Sequence, residues 1–185
     1  MDNTEPQKTD WIHLPDGSEV FPLWDCLHDG ELLSSKSVFV EQSVLLEIRV
    51  GYLLTQSEKD VHFLFRLEGI ESIRANVYFR EYKESEIVWR EESISWRDLE
   101  ESLSTDPLQI TDGDLATNQD NIALHIGGFL DGEKFNDLYC SVFLRAKSVS
   151  VARSDNKDFS LENFIESGRN YWDSFGKKGR QIESN

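Results

Sequence analysis

The sequence predicts an α+β fold that is mainly β: an antiparallel meander, an open sheet or a partial barrel, packed by a C-terminal amphipathic helix. Two observations predict it. Apolar and polar residues alternate at every second position in five segments, over residues 44–50, 61–67, 73–80, 122–126 and 138–146. Apolar residues then recur every three or four positions over residues 161–175. A period of two indicates strands, and a period near 3.6 indicates a helix.

Two further strands are expected around residues 33–40 and 86–90. The segments between the predicted strands are short and polar, at residues 41–42, 56–60, 69–71 and 83–85. Because a parallel crossover needs a dozen or more residues, such links favour antiparallel neighbours. One apolar and one polar face per strand fits a sheet with one face in water, or a barrel.

Glycines and a change of apolar phase mark irregular points in the later strands. Gly127-Gly128 is expected to interrupt the alternation that begins at Ile122. After Lys147 the apolar positions move to Val149 and Val151, which predicts a β-bulge.

Two helices are expected. Ser95 resembles the first residue of a capping box and opens a short helix over residues 95–103, which Pro107 limits. The second helix carries an apolar stripe from Leu161 to Phe175, and Gly176 is expected to end it. Residues 11–176 then form a single domain, with flexible tails at 1–10 and 177–185.

The net charge of −16, from 35 acidic and 19 basic residues, argues against binding to nucleic acid or to an anionic membrane, since both require clustered Lys and Arg. Two cysteines form neither a disulfide framework nor a zinc spacing. No signal-peptide pattern and no apolar stretch near 20 residues is present, so a cytoplasmic protein is expected. No pattern predicts a cofactor or sets an oligomeric state.

The excess acids concentrate in two blocks. Residues 81–101 hold eight acids and three bases, and residues 104–137 hold seven acids and one base. Acids interleaved with tryptophans can bind a basic protein partner. The residues proposed for this surface are Trp89, Glu91, Glu92, Trp96, Asp98, Glu100 and Glu101. The competing interpretation is a solvated helix face and solvated loops.

Two alternative sites follow from other residues. Arginines that share one strand parity can receive an anion, or can form cross-strand ion pairs instead; they are Arg49, Arg66, Arg74 and Arg80. An imidazole between two carboxylates, as in Asp25, His28 and Asp29, can hold a metal ion for hydrolysis. Asp29-Gly30 is also a turn signature, which predicts a purely structural role for the same segment.

One further acidic segment is a candidate cation site. Asp112 and Asp114, with Asn118, Asp120 and Asn121, suggest a calcium loop, but Ala123 stands where an EF-hand needs glutamate. A solvated loop is therefore expected there. His62 and His125 lie on polar strand faces, and no spacing brings them together. Cys140 falls on an apolar strand face, where a thiol behaves as a small hydrophobic residue.

The segment before the first predicted strands carries a family resemblance. It contains a tryptophan followed by a Leu-His-Asp-Gly sequence, in the residues Trp24, Asp25, Leu27, His28, Asp29, Gly30 and Leu32. Together with the strands to about Phe79, this resembles small bacterial uncharacterised and immunity-protein-like domains. The resemblance covers about a third of the chain and implies an interaction protein without catalysis. It transfers no binding residue, because immunity surfaces differ between partners.

Overall fold

The computed structural model describes residues 19–55, 58, 60–83, 86–117, 120–130 and 138–182. Ten strands in this part of the chain form one antiparallel sheet: β1 Glu19–Pro22, β2 Glu31–Val38, β3 Ser43–Arg49, β4 Phe63–Glu68, β5 Ser72–Lys83, β6 Glu86–Ile94, β7 Leu108–Thr117, β8 Ile122–Leu130, β9 Leu138–Ala146 and β10 Ser148–Arg153. Three helices accompany them: α1 Trp24–Leu27, α2 Trp96–Leu103 and α3 Leu161–Ile182.

The alternating segments are the strands that the sequence predicts. In β3 and β4, the predicted apolar face is fully buried: Val44, Leu46, Ile48, Phe63, Phe65 and Leu67 are at most 1% exposed. The antiparallel pairing of β3 with β4 places Leu46 opposite Phe65. The mainly antiparallel fold with a C-terminal helix is therefore confirmed.

The sheet curls strongly, as the order of its strands requires. The order is β10-β4-β3-β2-β7-β8-β9-β5-β6, with β1 beside β7. Residues 69–71 alone connect β4 to β5, although five strands lie between these two in the sheet. Since three residues reach only about 10 Å, the sheet must bend until the ends of β4 and β5 meet. The length of this link predicts that it joins neighbouring strands, and that prediction is wrong.

Backbone hydrogen bonds close this corner of the curl. The amide of Lys147 donates to the carbonyl of Glu68 at 3.0 Å, and the amide of Glu71 donates to that of Arg145 at 2.8 Å. Gly69 turns the chain there with φ of 65°, which glycine adopts without a steric penalty. β10 is thus a separate strand that pairs with β4 beyond the corner. The bulge expected after Lys147 is wrong.

Helix α3 packs into the concave side of the sheet. Phe164, fully buried, makes edge-on contacts with Phe63 and Phe65, with ring centroids at 4.9 Å and 5.2 Å. Gly168 lets α1 approach, because a Cβ there would lie 2.6 Å from Cys26 Sγ. The helix continues past Gly176 to Ile182, so the predicted stop is wrong. None of the described helices has the length and apolarity needed to cross a bilayer.

Helix α2 begins where the sequence predicts. Ser95 lies in an extended conformation before it, and its hydroxyl accepts the amide of Asp98 at 3.2 Å. Leu99 and Leu103 are buried against the core. The cap and these two leucines fix α2 next to β2, which it contacts.

Three features of the second half differ from expectation. β7 occupies residues predicted as a loop. A register shift between Ile110 and Asp112 breaks the apolar alternation, so the sequence pattern does not indicate a strand there. Gly127 and Gly128 lie inside β8 and do not interrupt it. The sheet is also buried on both faces in its second half, where polar and aromatic side chains opposite the core are at most 6% exposed: Asn76, Tyr78, His125, Tyr139, Ser141 and Phe143.

An ion-pair cluster fixes the segment between β10 and α3. Arg153, whose side chain is 10% exposed, donates to both carboxylate oxygens of Asp155 at 3.0 and 2.9 Å and to Glu58 at 2.6 Å. Lys157 also pairs with both acids. Hydrogen bonds from Lys157, Thr55 and Arg153 hold the pKa of Glu58 well below its usual range. The cluster therefore joins the residues before α3 to the loop before β4.

We expect the carboxyl group of Asp155 to titrate with a pKa of about 2, below its ordinary 3.8, mainly because Arg153 hydrogen-bonds to its charged form. A lowered pKa stabilises the fold at pH values above 3.8, and this contribution is lost as the pH falls through 2. Carboxyl NMR shifts followed against pH measure it. Arg153→Gln should return the pKa toward 3.8, and an unchanged pKa in that variant would contradict the assignment.

Candidate functional site

The acidic surface predicted from the sequence lies on two consecutive elements at one end of the sheet. We call it the β6–α2 surface; it comprises Trp89, Glu91, Glu92, Trp96, Asp98, Glu100 and Glu101. Ser95 alone separates β6 from α2. β6 ends the strand order, and within the described ranges no strand pairs with its outer edge. The residues of this surface that lie on β6 therefore belong to an edge strand of the described sheet.

Two of its acids hold the fold together. Glu91 accepts a hydrogen bond from the buried Asn76 amide at 2.6 Å. Glu100 accepts from the backbone amide and hydroxyl of Ser37 at 2.7 and 3.0 Å, which attaches α2 to β2. These two carboxylates are therefore structural acceptors.

The other acids of this surface, Glu92, Asp98 and Glu101, are exposed. Glu92 pairs with Arg90 and Glu101 pairs with Arg97, each at 3.0 Å, and these acids are 47% and 66% exposed. Exposed pairs of this kind contribute at most about 1 kcal/mol, so a partner can displace them. Asp98 is exposed at the start of α2.

The two tryptophans of the surface differ in their surroundings. Trp96 packs against the hydrophobic core, which accounts for its partial burial. Trp89 is half-buried on β6, next to the exposed Val88. Because successive strand residues point to opposite faces, Trp89 shares a face of β6 with Glu91, and Glu92 lies on the other face.

Two of the four arginines considered for anion binding, Arg49 and Arg66, form ion pairs with carboxylates. Arg49 pairs with Glu31, and Arg66 pairs with Glu41 and Glu68. Arg74 and Arg80 lie on β5. The cross-strand ion pairs considered as the alternative account for Arg49, whose partner stands opposite it in the register of β2 and β3.

The segment around His28 packs against α3. The ring of His28 stacks on Trp172 with centroids 5.1 Å apart, and its Nδ1 lies 3.0 Å from Asp29 Oδ1. Asp29 has a φ of 56°, as a turn residue preceding Gly30. The side chain of Asp25 lies outside the described residues. A role in positioning the turn accounts for the contacts of His28 and Asp29 that the structure describes.

Cys140, the second cysteine, lies on the core side of its strand. Cys140 is fully buried, and burial raises the pKa of its thiol to about 12. The thiol therefore stays protonated at neutral pH and packs as a small apolar group.

A further group of polar side chains, not predicted as a site from the sequence, lies on the face of the sheet opposite the core. The hairpin of β7 and β8 sets Asp114 opposite His125 and Asp112 opposite Gly127. One oxygen of each carboxylate and one nitrogen of the imidazole lie within 4.8 Å of one another. We call these three residues the Asp-Asp-His group.

The environment of this group is largely closed to solvent. The side chains of His125 and Asp112 are 2% and 14% exposed, and His125 Nδ1 lies 3.7 Å from Asp112 Oδ2. The imidazole stacks on Phe143 with centroids 4.7 Å apart and planes 12° apart. The Tyr139 hydroxyl occupies the space that a Cβ on residue 127 would fill. The glycine therefore lets the tyrosine reach the imidazole side of the strand.

The group could have been predicted from the sequence only by recognising the hairpin of β7 and β8. Asp112 and Asp114 share one parity, and the antiparallel pairing of β7 with β8 brings His125 opposite Asp114. In the loop that the sequence predicts for both aspartates, that parity carries no information. Comparison of the chain with protein-family models, with curated proteins and with solved structures finds no match.

Proposed function

We propose that this chain is a cytoplasmic, non-enzymatic interaction protein, of the immunity-like kind that its first half resembles, and that it binds a basic protein partner through the β6–α2 surface. One observation carries the proposal: β6 carries an exposed carboxylate and has an outer edge that no described strand covers, and α2, which follows it directly, carries further exposed carboxylates. An open edge offers backbone groups to an added strand, and the carboxylates offer complementary charge.

The charge of the chain supports the same proposal. With a net charge of −16, its field attracts a basic partner and accelerates the encounter. The accessible acids Glu92, Asp98 and Glu101 then act in the complex. Glu91 and Glu100 also accept internal hydrogen bonds, so they help to position the surface.

We expect charge reversal at Glu92 and Glu101 to abolish partner capture. The double variant E92K/E101K and the wild type are used as baits in a bacterial lysate at several salt concentrations. The wild type should retain a basic protein that is released as salt rises, and the double variant should retain at least about tenfold less, because steering and contact charges are lost. Binding is then measured with the purified partner.

The matched control reverses acids that lie elsewhere. E162K/E166K changes the net charge by the same amount on an exposed part of α3. It should weaken capture only slightly. Equal losses in the two double variants would mean that net charge alone drives association. A captured partner that is indifferent to both salt and E92K/E101K would refute the assignment of this surface.

A further inference from the structure

We propose that the Asp-Asp-His group binds one divalent transition-metal ion on the outer face of β7 and β8. The first argument is placement. Asp112 and Asp114 are two residues apart on one strand, and His125 stands opposite Asp114 on the next. Side chains two apart on a strand share a face, so the backbone pairing alone directs all three to one place. No residue of the β6–α2 surface takes part.

The second argument is spacing. Two ligands about 2.1 Å from a metal ion in tetrahedral geometry stand about 3.4 Å apart. The 3.7 Å between His125 Nδ1 and Asp112 Oδ2 is too long for a hydrogen bond and close to this value. Small rotations of the two half-buried carboxylates bring the remaining atoms, all within 4.8 Å, to the same spacing.

The third argument is charge. Two carboxylates converge with an almost fully buried imidazole, and this combination of two negative charges and a neutral nitrogen ligand is one that a divalent cation binds. The imidazole is also held in position, since it stacks on Phe143. Its Nε2 and the Tyr139 hydroxyl both lie against Gly127. A metal-bound histidine commonly has such a second polar group near its other nitrogen.

The ligand atoms define the class of ion. One imidazole nitrogen with two carboxylate oxygens suits Zn²⁺, Mn²⁺, Fe²⁺ or Co²⁺, whereas Ca²⁺ and Mg²⁺ prefer oxygen ligands alone. Three protein ligands leave at least one coordination position for water or a ligand. This site shares Asp112 and Asp114 with the calcium loop that the sequence suggested, but it takes His125 as its third ligand, and it includes none of Asp25, His28 and Asp29.

The test is metal titration of the full chain after chelator treatment. The protein should bind one equivalent of Co²⁺, measured by the appearance of a visible absorption band, and Zn²⁺ should displace the bound Co²⁺. Asp114→Asn should weaken binding at least about tenfold by removing a charged ligand. The control is His62→Gln, which removes a different histidine paired with a carboxylate, Glu47, and it should bind like the wild type.

A second measurement does not depend on any variant folding. Bound Co²⁺ should broaden or shift the ring NMR signals of His125 and leave those of His62 unchanged. Three outcomes would each overturn the proposal: no uptake of any of the four ions at millimolar concentration, unchanged affinity in a folded Asp114→Asn protein, or paramagnetic effects that miss His125.

Discussion

Phe164→Ala is expected to lower the free energy of unfolding by about 3–5 kcal/mol, the range for removing a fully buried phenylalanine from a core. Phe164 is 0% exposed and is the point where α3 contacts the phenylalanines of β4. Its ring meets Phe63 at 71° and Phe65 at 88°, an edge-on geometry that adds to the apolar burial. The cavity left by alanine would lie between the helix and the sheet.

Urea unfolding followed by tryptophan fluorescence and by far-ultraviolet circular dichroism measures this loss. Glu166→Ala is the matched control on the same helix, because Glu166 is exposed, and it should change stability by at most about 0.5 kcal/mol. A loss below about 1 kcal/mol for Phe164→Ala would show that α3 does not contribute to the cooperative core.

The parts of the fold that the sequence predicts are those in which one face of an element is buried. In β3 and β4 the apolar positions face the core, so the period of two is visible in the residues themselves. The stripe of α3 is visible for the same reason, with Phe164 and Gly168 facing the sheet and α1. The cap at Ser95 is local chemistry between residues three apart.

The parts that could not be predicted depend on distant residues. β9 is buried along both faces, so Tyr139, Ser141 and Phe143 read as a polar or mixed face although water does not reach them. The link at residues 69–71 is as short as a hairpin turn, and its role as a corner follows only from the pairing of β5 with β9. Sheet order is a property of pairings far apart in sequence.

The candidate sites follow the same division. The acids of β6 and α2 are adjacent in sequence, so their shared location could be predicted, but the hydrogen bond from Ser37 to Glu100 could not. The Asp-Asp-His group depends on a hairpin whose first strand is hidden by the bulge at Thr111. Aspartate and glycine are also rare in strands, which favours a loop in any local interpretation of Asp112 to Asp114.

The second large expected effect on stability concerns the hairpin of β7 and β8. Gly128→Ala should destabilise the protein by about 3 kcal/mol or more, at the upper end of over-packing substitutions. A Cβ at residue 128 would overlap the carbonyl oxygen of Gln109, and it would lie 2.8 Å from that carbonyl carbon and 3.1 Å from Ile110 Cα. All of these are backbone atoms of β7, so no side-chain rotation relieves the contact, and the two strands must separate.

Gly51→Ala is the control, since nothing lies within 4 Å of a Cβ at residue 51. Gly51 lies in a short 3-10 turn where a side chain is tolerated. Alanine there should stabilise the protein by up to about 1 kcal/mol, because it lowers the conformational entropy of the unfolded chain. Comparing the two variants by urea unfolding isolates the close approach of β7 and β8. Equal stabilities would contradict the pairing of Ile110 with Gly128, and with it the strand register that brings Asp112 and Asp114 to His125.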